Sequence, residues 1–180
     1  MVLDKRSLRL RLKYRTIPRE GFLLKKTEAA YIAGFFDGDG SVRIQLQPRK
    51  SSRFGFRVRT IISFAQKIGH EDDLKWIRNK LGIGYLYNRN DGISELKIEG
   101  FDSVKRILNE LKPFVLFKKR QVLLVLKALS MLTVPKPDVL AVAKISDQLS
   151  NINYATTKKI YTAKEVAEAL KRYTPVTTDP

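Results

Sequence analysis

The sequence predicts an α+β fold, in which helices cover an antiparallel sheet. Three observations point to this class. Helical and period-two segments follow one another in the order helix, two strands, helix, two strands and then helices. Short polar stretches join each pair of strands, as in hairpins. The chain has 180 residues, of which 43% are apolar, so we expect one compact domain with a sizeable core.

Each element has a local signal. The first helix is expected to begin with Thr27 as its N-cap and to end in the glycine-rich run 37–40. Strands are expected at 41–47 and 56–64, joined by a basic hairpin at 48–54, and at 85–87 and 94–98. Further helices are expected at 70–81, 102–110, 118–132, 138–149 and 162–173. We divide the chain into a basic arm (1–26), a core (27–150) and a C-terminal helix and tail (151–180).

The charge balance favours a polyanionic partner. The formal net charge is +17 and the pI about 10.1. Such an excess favours nucleic acid. An anionic membrane surface is the weaker alternative, because no apolar run is long enough to span a bilayer. The arm 1–26 is either a solubilising tail or an additional set of phosphate contacts. We expect residence in a compartment that contains DNA: the cytoplasm or nucleoid of a prokaryote, an archaeon included, or a chloroplast or mitochondrion.

The composition also limits the chemistry. The chain contains no cysteine and a single histidine, His70. Thiol catalysis, zinc ribbons and histidine-rich metal sites are therefore excluded. A bound metal would be held mainly by oxygen ligands, which favours Mg²⁺ or a similar hard cation.

The first two predicted strands share a polar face without acids. No Asp or Glu occurs from Ser41 to Gly69, whereas an ordinary solvated sheet face would mix acids with bases. Arg and Gln can each contact a base edge through two hydrogen bonds. About ten strand residues span roughly ten base pairs, so this face is expected to read double-stranded DNA. The residues on it are Ser41, Arg43, Gln45, Gln47, Arg57, Arg59 and Ser63, with Arg49 in the hairpin.

The first helix combines a bare face with an acidic end. Ala30, Gly34 and Gly38 recur every four residues, so two helix backbones could approach closely along this face. Asp37 and Asp39 lie at the helix C-terminus, where the macrodipole disfavours negative charge. The pair is either a simple turn or a metal site. If the same helix of a second subunit is the partner, two acidic tips would meet beside the DNA. The expected interface residues are Ala30, Ala33, Gly34, Asp37 and Gly38.

The segment Ile32-Ala33-Gly34-Phe35-Phe36-Asp37-Gly38-Asp39-Gly40 resembles the nine-residue motif of the LAGLIDADG homing endonucleases. The element order, Gln66-Lys67 after the second strand and Pro113-Phe114 before Lys118 are similar to the single-motif homodimeric members. The resemblance covers about residues 27–150. It implies an αββαββα core with an antiparallel saddle sheet, followed by C-terminal helices. The long basic arm at 1–26 departs from the family pattern.

The resemblance implies a role for each matching residue. Asp39 would be the catalytic acid and hold a divalent metal, with the Gly38 carbonyl as an adjacent ligand and Asp37 in a structural role. Gln66 would orient the attacking water, and Lys118 would stabilise charge at the scissile phosphate. His70 is a weaker candidate for a further basic group. Positions that match DNA contacts outside the first two strands are Tyr87, Arg89, Lys97, Lys119 and Arg120.

The function implied is site-specific double-strand cleavage in intron homing, with Mg²⁺, by a homodimer on a long pseudo-palindromic site. The alternatives are an RNA-splicing maturase, for which RNA would be the partner, and a DNA-binding protein that does not cut. A maturase could lose Asp39, Gln66 or Lys118, and all three are present. A basic ribosome-associated protein would not explain the acidic helix tip.

Overall fold

The computed structural model describes residues 24–49, 55–153 and 161–173. These residues form six α-helices and four strands, in the predicted order. The helices are α1 (Lys26–Asp39), α2 (Glu71–Leu81), α3 (Phe101–Leu111), α4 (Lys119–Leu132), α5 (Val139–Ile152) and α6 (Ala163–Tyr173). The strands are β1 (Gly40–Pro48), β2 (Phe56–Lys67), β3 (Tyr85–Asn88) and β4 (Ile93–Glu99). Most of the arm 1–26, the hairpin tip 50–54 and parts of the C-terminal segment lie outside the described residues.

The four strands form one sheet with the order β1-β2-β4-β3. Strands β3 and β4 pair antiparallel, with Tyr85 opposite Lys97 and Tyr87 opposite Glu95. The predicted α+β class, a mixed fold on an antiparallel sheet, is confirmed. No helix among the described residues is long and apolar enough to cross a membrane.

The chain divides into two compact units. The described residues of the first unit are 24–41 and 62–118. Its core contains Phe36 of α1, which packs edge-on against Phe64 of β2 at 6.0 Å between ring centres, and buried aliphatic side chains of α2 and α3. Helix α2 ends at Gly82, which takes the left-handed conformation (φ 68°) that glycine adopts without strain. This unit carries the acidic end of α1.

The described residues of the second unit are 42–49, 55–61, 119–153 and 161–173. Leu46, Phe56, Val139, Ala143 and Val166 form its buried cluster, so the C-terminal helix α6 contributes to a core. Strand β1 lies at the edge of the sheet, and unpaired edge carbonyls invite association with other chains. Two side chains cover this edge. Ser146 donates to the Ile44 carbonyl and Asn153 to the Val42 carbonyl, each at 2.9 Å.

Local expectations for two elements, α1 and β2, are wrong. Helix α1 begins at Lys26, so Thr27 is not its N-cap. The Glu28 carboxylate instead accepts from the Lys25 N–H at 3.2 Å, and its other oxygen pairs with Lys80 at 2.7 Å. Strand β2 alternates only at its start, because residues 60–64 are buried on both faces. It also extends to Lys67, which places Gln66 within the strand rather than beyond it.

Candidate active site and nucleic-acid interface

Asp37 joins the end of α1 to a distant segment of the same unit. Its Oδ2 accepts from the Leu116 N–H at 2.7 Å, and its Oδ1 accepts from the Lys118 N–H at 2.9 Å. Both carboxylate oxygens are therefore satisfied by backbone amides, which compensates the unfavourable position of an acid at a helix C-terminus. This arrangement supports the structural role expected for Asp37.

Lys118 lies against the same helix end. Its Nζ donates to the carbonyl of Asp37 and, at 3.1 Å, to the carbonyl of Gly38. Carbonyls in the last turn of a helix have no partner within the helix, and a cation there also complements the macrodipole. Burial lowers the pKa of Lys118 from its ordinary value, while the carboxylates of Asp37 and Asp39 oppose this shift. A half-buried ammonium is thus held beside two backbone oxygens.

Asp39 is the exposed acid of the pair. Among the described residues its side chain accepts one hydrogen bond, a long one of 3.4 Å from Gln66 Nε2. Its carboxylate therefore keeps most of its acceptor capacity for an external group. Gly40, directly after it, is required by packing, because a Cβ there would lie 2.5 Å from the Phe36 ring. The structure brings Asp39, Gln66 and Lys118 together around the end of α1, within one unit.

The metal-ligating groups of one chain are few. No three His, Cys, Asp or Glu side chains of the described residues are grouped so that they could hold a metal ion. The oxygen ligands that the helix end offers are the Asp39 carboxylate and the Gly38 carbonyl, and both residues are exposed. A hard cation bound there would need further oxygens from outside the chain.

His70 does not take part in this arrangement. It is exposed and serves as the N-cap residue of α2, with its N–H donating to the Lys67 carbonyl at 3.1 Å. Its imidazole makes no capping hydrogen bond. No hydrogen bond or ion pair among the described residues connects it to Asp39, so the weaker candidacy of His70 gains no support.

In the second unit, β1 has the two faces that its sequence predicts. Val42, Ile44 and Leu46 are buried, and the alternating polar residues are half-buried or exposed. On β2, Arg57 is exposed and Arg59 half-buried. The polar positions that reach solvent here are Arg43, Gln45, Gln47, Arg49, Arg57 and Arg59, together with the exposed Lys119 and Arg120 at the start of α4.

The serine pair predicted for the same face behaves differently. Ser41 and Ser63, both in the first unit, hydrogen-bond to each other through their hydroxyls at 2.8 Å. Ser63 is only 5% exposed. Cross-strand pairing therefore uses these hydroxyls internally, and Ser63 is not positioned to contact a base in this state. The prediction that Ser63 reaches DNA is corrected on this ground.

The β3–β4 hairpin of the first unit carries a second polar cluster. Lys97 Nζ lies 5.1 Å from the centre of the Tyr87 ring, and the Tyr87 hydroxyl donates to the Glu95 carboxylate. Arg89, also predicted to contact DNA, forms an ion pair with Asp91. Sequence reasoning missed Glu95, which is 4% exposed. The register of the hairpin could have indicated this residue, because it sets Tyr87 directly opposite Glu95.

The side-chain-poor face of α1 is open in the single chain. Ala30, Gly34 and Gly38 are exposed, and a Cβ added at Gly34 or Gly38 would meet nothing within 4 Å. Ala33 was also predicted to be an interface residue, but its side chain is fully buried in the chain's own core. Sequence reasoning also missed Leu116 and Phe117, which are 73% and 83% exposed directly before Lys118.

Helix α1 ends in the run 37–40 and leads into the four-stranded sheet. An exposed acid lies at this helix end with a glutamine and a lysine, and this combination defines a class of nucleases. The family model described as LAGLIDADG endonuclease matches residues 32–129. The chain belongs to the LAGLIDADG endonuclease family. The resemblance seen in residues 32–40 is thereby confirmed and extends over residues 32–129.

Two characterised relatives are similar over most of their length. The DNA endonuclease I-CreI of Chlamydomonas reinhardtii is 32% identical over 143 residues, which cover 78% of this chain and 86% of that protein. The DNA endonuclease I-CvuI of Chlorella vulgaris is 31% identical over 144 residues, covering 79% and 89%. A structure of I-CvuI with the I-CreI target and 2 mM Mg, its DNA not cleaved, matches with a TM-score of 0.76 and 29% identity, over 82% of this chain and 95% of that one. A second I-CvuI structure holds its own target with 2 mM Ca.

Proposed function

We propose that this chain is a site-specific double-strand DNA endonuclease that acts in intron homing. One observation carries the proposal. The exposed Asp39 carboxylate shares the end of α1 with Gln66 and Lys118, so an acid, an amide and an ammonium face one small region. The names of the two relatives support the reaction class, and the DNA targets in the I-CvuI structures support the substrate.

The oxygen ligands at the helix end fit a hard divalent cation, for which we propose Mg²⁺. Asp39 would hold it through its carboxylate and Gly38 through its carbonyl, with the remaining oxygens supplied by DNA and by a second subunit. When bound, such an ion polarises a phosphate and lowers the pKa of water. The Mg and Ca in the I-CvuI structures are consistent with this class of ion.

The chain's own side chains would perform the remaining tasks. The Gln66 amide, within reach of Asp39, can accept a hydrogen bond from water through its oxygen and so orient the attacking molecule. The Lys118 ammonium can stabilise negative charge that develops on the phosphate. Asp37 would hold the 116–118 segment in place, and with it Lys118, through the two amide hydrogen bonds.

We propose a homodimer, because two strands require two active sites and one chain supplies a single acidic tip. Glycine within a helix costs about 1 kcal/mol relative to alanine. The fold of one chain does not require Gly34 or Gly38, since space is open at both Cβ positions. A second backbone approaching this face would explain them. The exposed side chains of Leu116 and Phe117 would add apolar area to the same contact.

DNA recognition would use the polar strand faces of each unit. The Arg and Gln side chains of β1 and β2 suit base edges, and Lys119 and Arg120 suit phosphates. In the first unit, Tyr87, Arg89 and Lys97 are the corresponding candidates. With a formal charge of +17, affinity is expected to fall steeply as salt increases.

Cleavage of a plasmid that carries the intronless target allele tests the proposal. The reactions contain Mg²⁺, Mn²⁺, Ca²⁺ or EDTA, and the variant Asp39→Asn serves as the inactive control. We expect cutting at one site with Mg²⁺ or Mn²⁺ and none with EDTA or with the variant. Tight, sequence-specific binding without metal-dependent cutting would leave a DNA-binding protein. Preference for the intron RNA over the DNA target would instead support a maturase.

A further inference from the structure

The carbonyl oxygen of Gly38 has two potential cationic partners. Lys118 Nζ already donates to it at 3.1 Å and also donates to the neighbouring carbonyl of Asp37. The same Gly38 oxygen would be a ligand of the divalent metal proposed above. The other ligand proposed above at this helix end is the Asp39 carboxylate, so the carbonyl is not dispensable. Lysine and metal therefore meet at a shared atom.

Electrostatics makes these two partners antagonistic. Divalent cations bind carbonyl oxygens at about 2.0–2.6 Å. With the ammonium 3.1 Å from the same oxygen, the two cations would lie no more than about 6 Å apart. At roughly 5 Å a unit and a double positive charge repel even in bulk water by enough to weaken binding about tenfold. A less polar environment would increase this effect.

We propose that Lys118 is a resident counter-cation of the Gly38 carbonyl, which a divalent metal has to displace in order to bind. Metal binding and release of the Lys118 ammonium from the helix end would then be one coupled event. The inference rests on the proposed function, because the released ammonium is the group assigned above to the scissile phosphate. In the absence of DNA, Lys118 holds the metal affinity of the site low.

Mn²⁺ binding to the DNA-free protein tests the inference without any reading of activity. Mn²⁺ prefers oxygen ligands as Mg²⁺ does, and electron paramagnetic resonance measures its free concentration directly. The experiment compares wild type with Lys118→Met and Lys118→Arg. The first variant removes the competing cation, so its Kd should be about tenfold lower. The second keeps a cation, so its Kd should stay close to that of wild type.

A matched control separates local competition from net charge. Lys112→Met removes one exposed positive charge from the same unit and should change the Kd by less than about twofold, since exposed charges that do not contact the site are screened by salt. Urea unfolding of each variant shows whether it is folded. If Lys118 were only structural, both Lys118 variants would bind Mn²⁺ with the same affinity as wild type or with a lower one. An unchanged or higher Kd for Lys118→Met would therefore overturn the inference.

The outcomes remain separable from those of the endonuclease proposal. If wild type cleaves its target and Lys118→Met shows no gain in Mn²⁺ affinity, only the competition between lysine and metal is refuted. If wild type fails to cleave, the endonuclease proposal fails. The Mn²⁺ comparison then still decides whether Lys118 opposes metal binding at Gly38.

Discussion

Asp37 and Asp39 lie two residues apart in the same motif, yet the structure predicts opposite consequences for their replacement. Asp37 accepts two backbone N–H groups, at 2.7 and 2.9 Å. A hydrogen bond to a charged group contributes about 1.5–3 kcal/mol, and the half-exposed position favours the low end of this range. Asp37→Ala should therefore lower the free energy of unfolding by about 3 kcal/mol. Asp37→Asn keeps one acceptor and should lower it by about half as much.

Asp39→Asn is the matched control. Among the described residues, Asp39 accepts one long hydrogen bond of 3.4 Å, so its loss should change the free energy of unfolding by less than about 0.5 kcal/mol. Urea unfolding followed by the fluorescence of Trp76, the single tryptophan, measures all three variants. The protein concentration is kept fixed, because the stability of the proposed dimer would depend on it. Equal stability of Asp37→Ala and wild type would refute the assignment of Asp37 as the link to residues 116–118.

Three further predictions follow from other parts of the molecule. The Ser94 hydroxyl and then the Gly69 N–H hold the pKa of Glu71 at about 2, below its ordinary 4.5. The stabilisation by this carboxylate is complete above pH 4.5 and is lost as the pH falls towards 2. In Ser94→Ala, the free energy of unfolding, measured by urea titration, should therefore depend less on pH across that window. Phe117→Asp should sediment as a monomer at micromolar concentration, whereas the control Leu123→Asp, at another exposed apolar position, should sediment as a dimer. A dimeric Phe117→Asp would argue against Phe117 at the interface. Lys119→Ala should reduce the salt slope of DNA binding by about 1 without changing sequence preference. Arg57→Ala should instead relax specificity by about 1–3 kcal/mol at one base pair, measured by competition binding. Identical effects of the two variants would contradict the assignment of Lys119 to phosphate and Arg57 to a base.

The order and type of the elements could be predicted because each depends on local patterns. Helix α2 has a regular apolar face and a glycine at its end, and its predicted and observed limits differ by one residue. Strand β1 alternates without a break, so its buried and polar faces were assigned correctly. The gathering of Asp39, Gln66 and Lys118 followed from the family resemblance rather than from periodicity.

The remaining features depend on contacts between distant residues. The link from Asp37 to Lys118 spans 81 residues, and no local pattern reports it. The cover that Ser146 gives to the edge of β1 spans 102 residues. Ala33 was predicted to be an interface residue, but it lies one residue before Gly34, and a single helical position rotates its side chain by about 100° into the core. The side-chain pairing of Ser41 with Ser63 likewise depends on strand register.

The central claim is that each chain supplies one active site built on Asp39. A mixed dimer tests this claim most directly. Wild type and Asp39→Asn chains carrying different affinity tags are co-expressed, and the heterodimer is purified and incubated with supercoiled plasmid that carries the target. The account predicts a nicked circle as the accumulating product, because one strand is cut and the other is not. Linear plasmid formed at the rate of the wild-type dimer would contradict the claim.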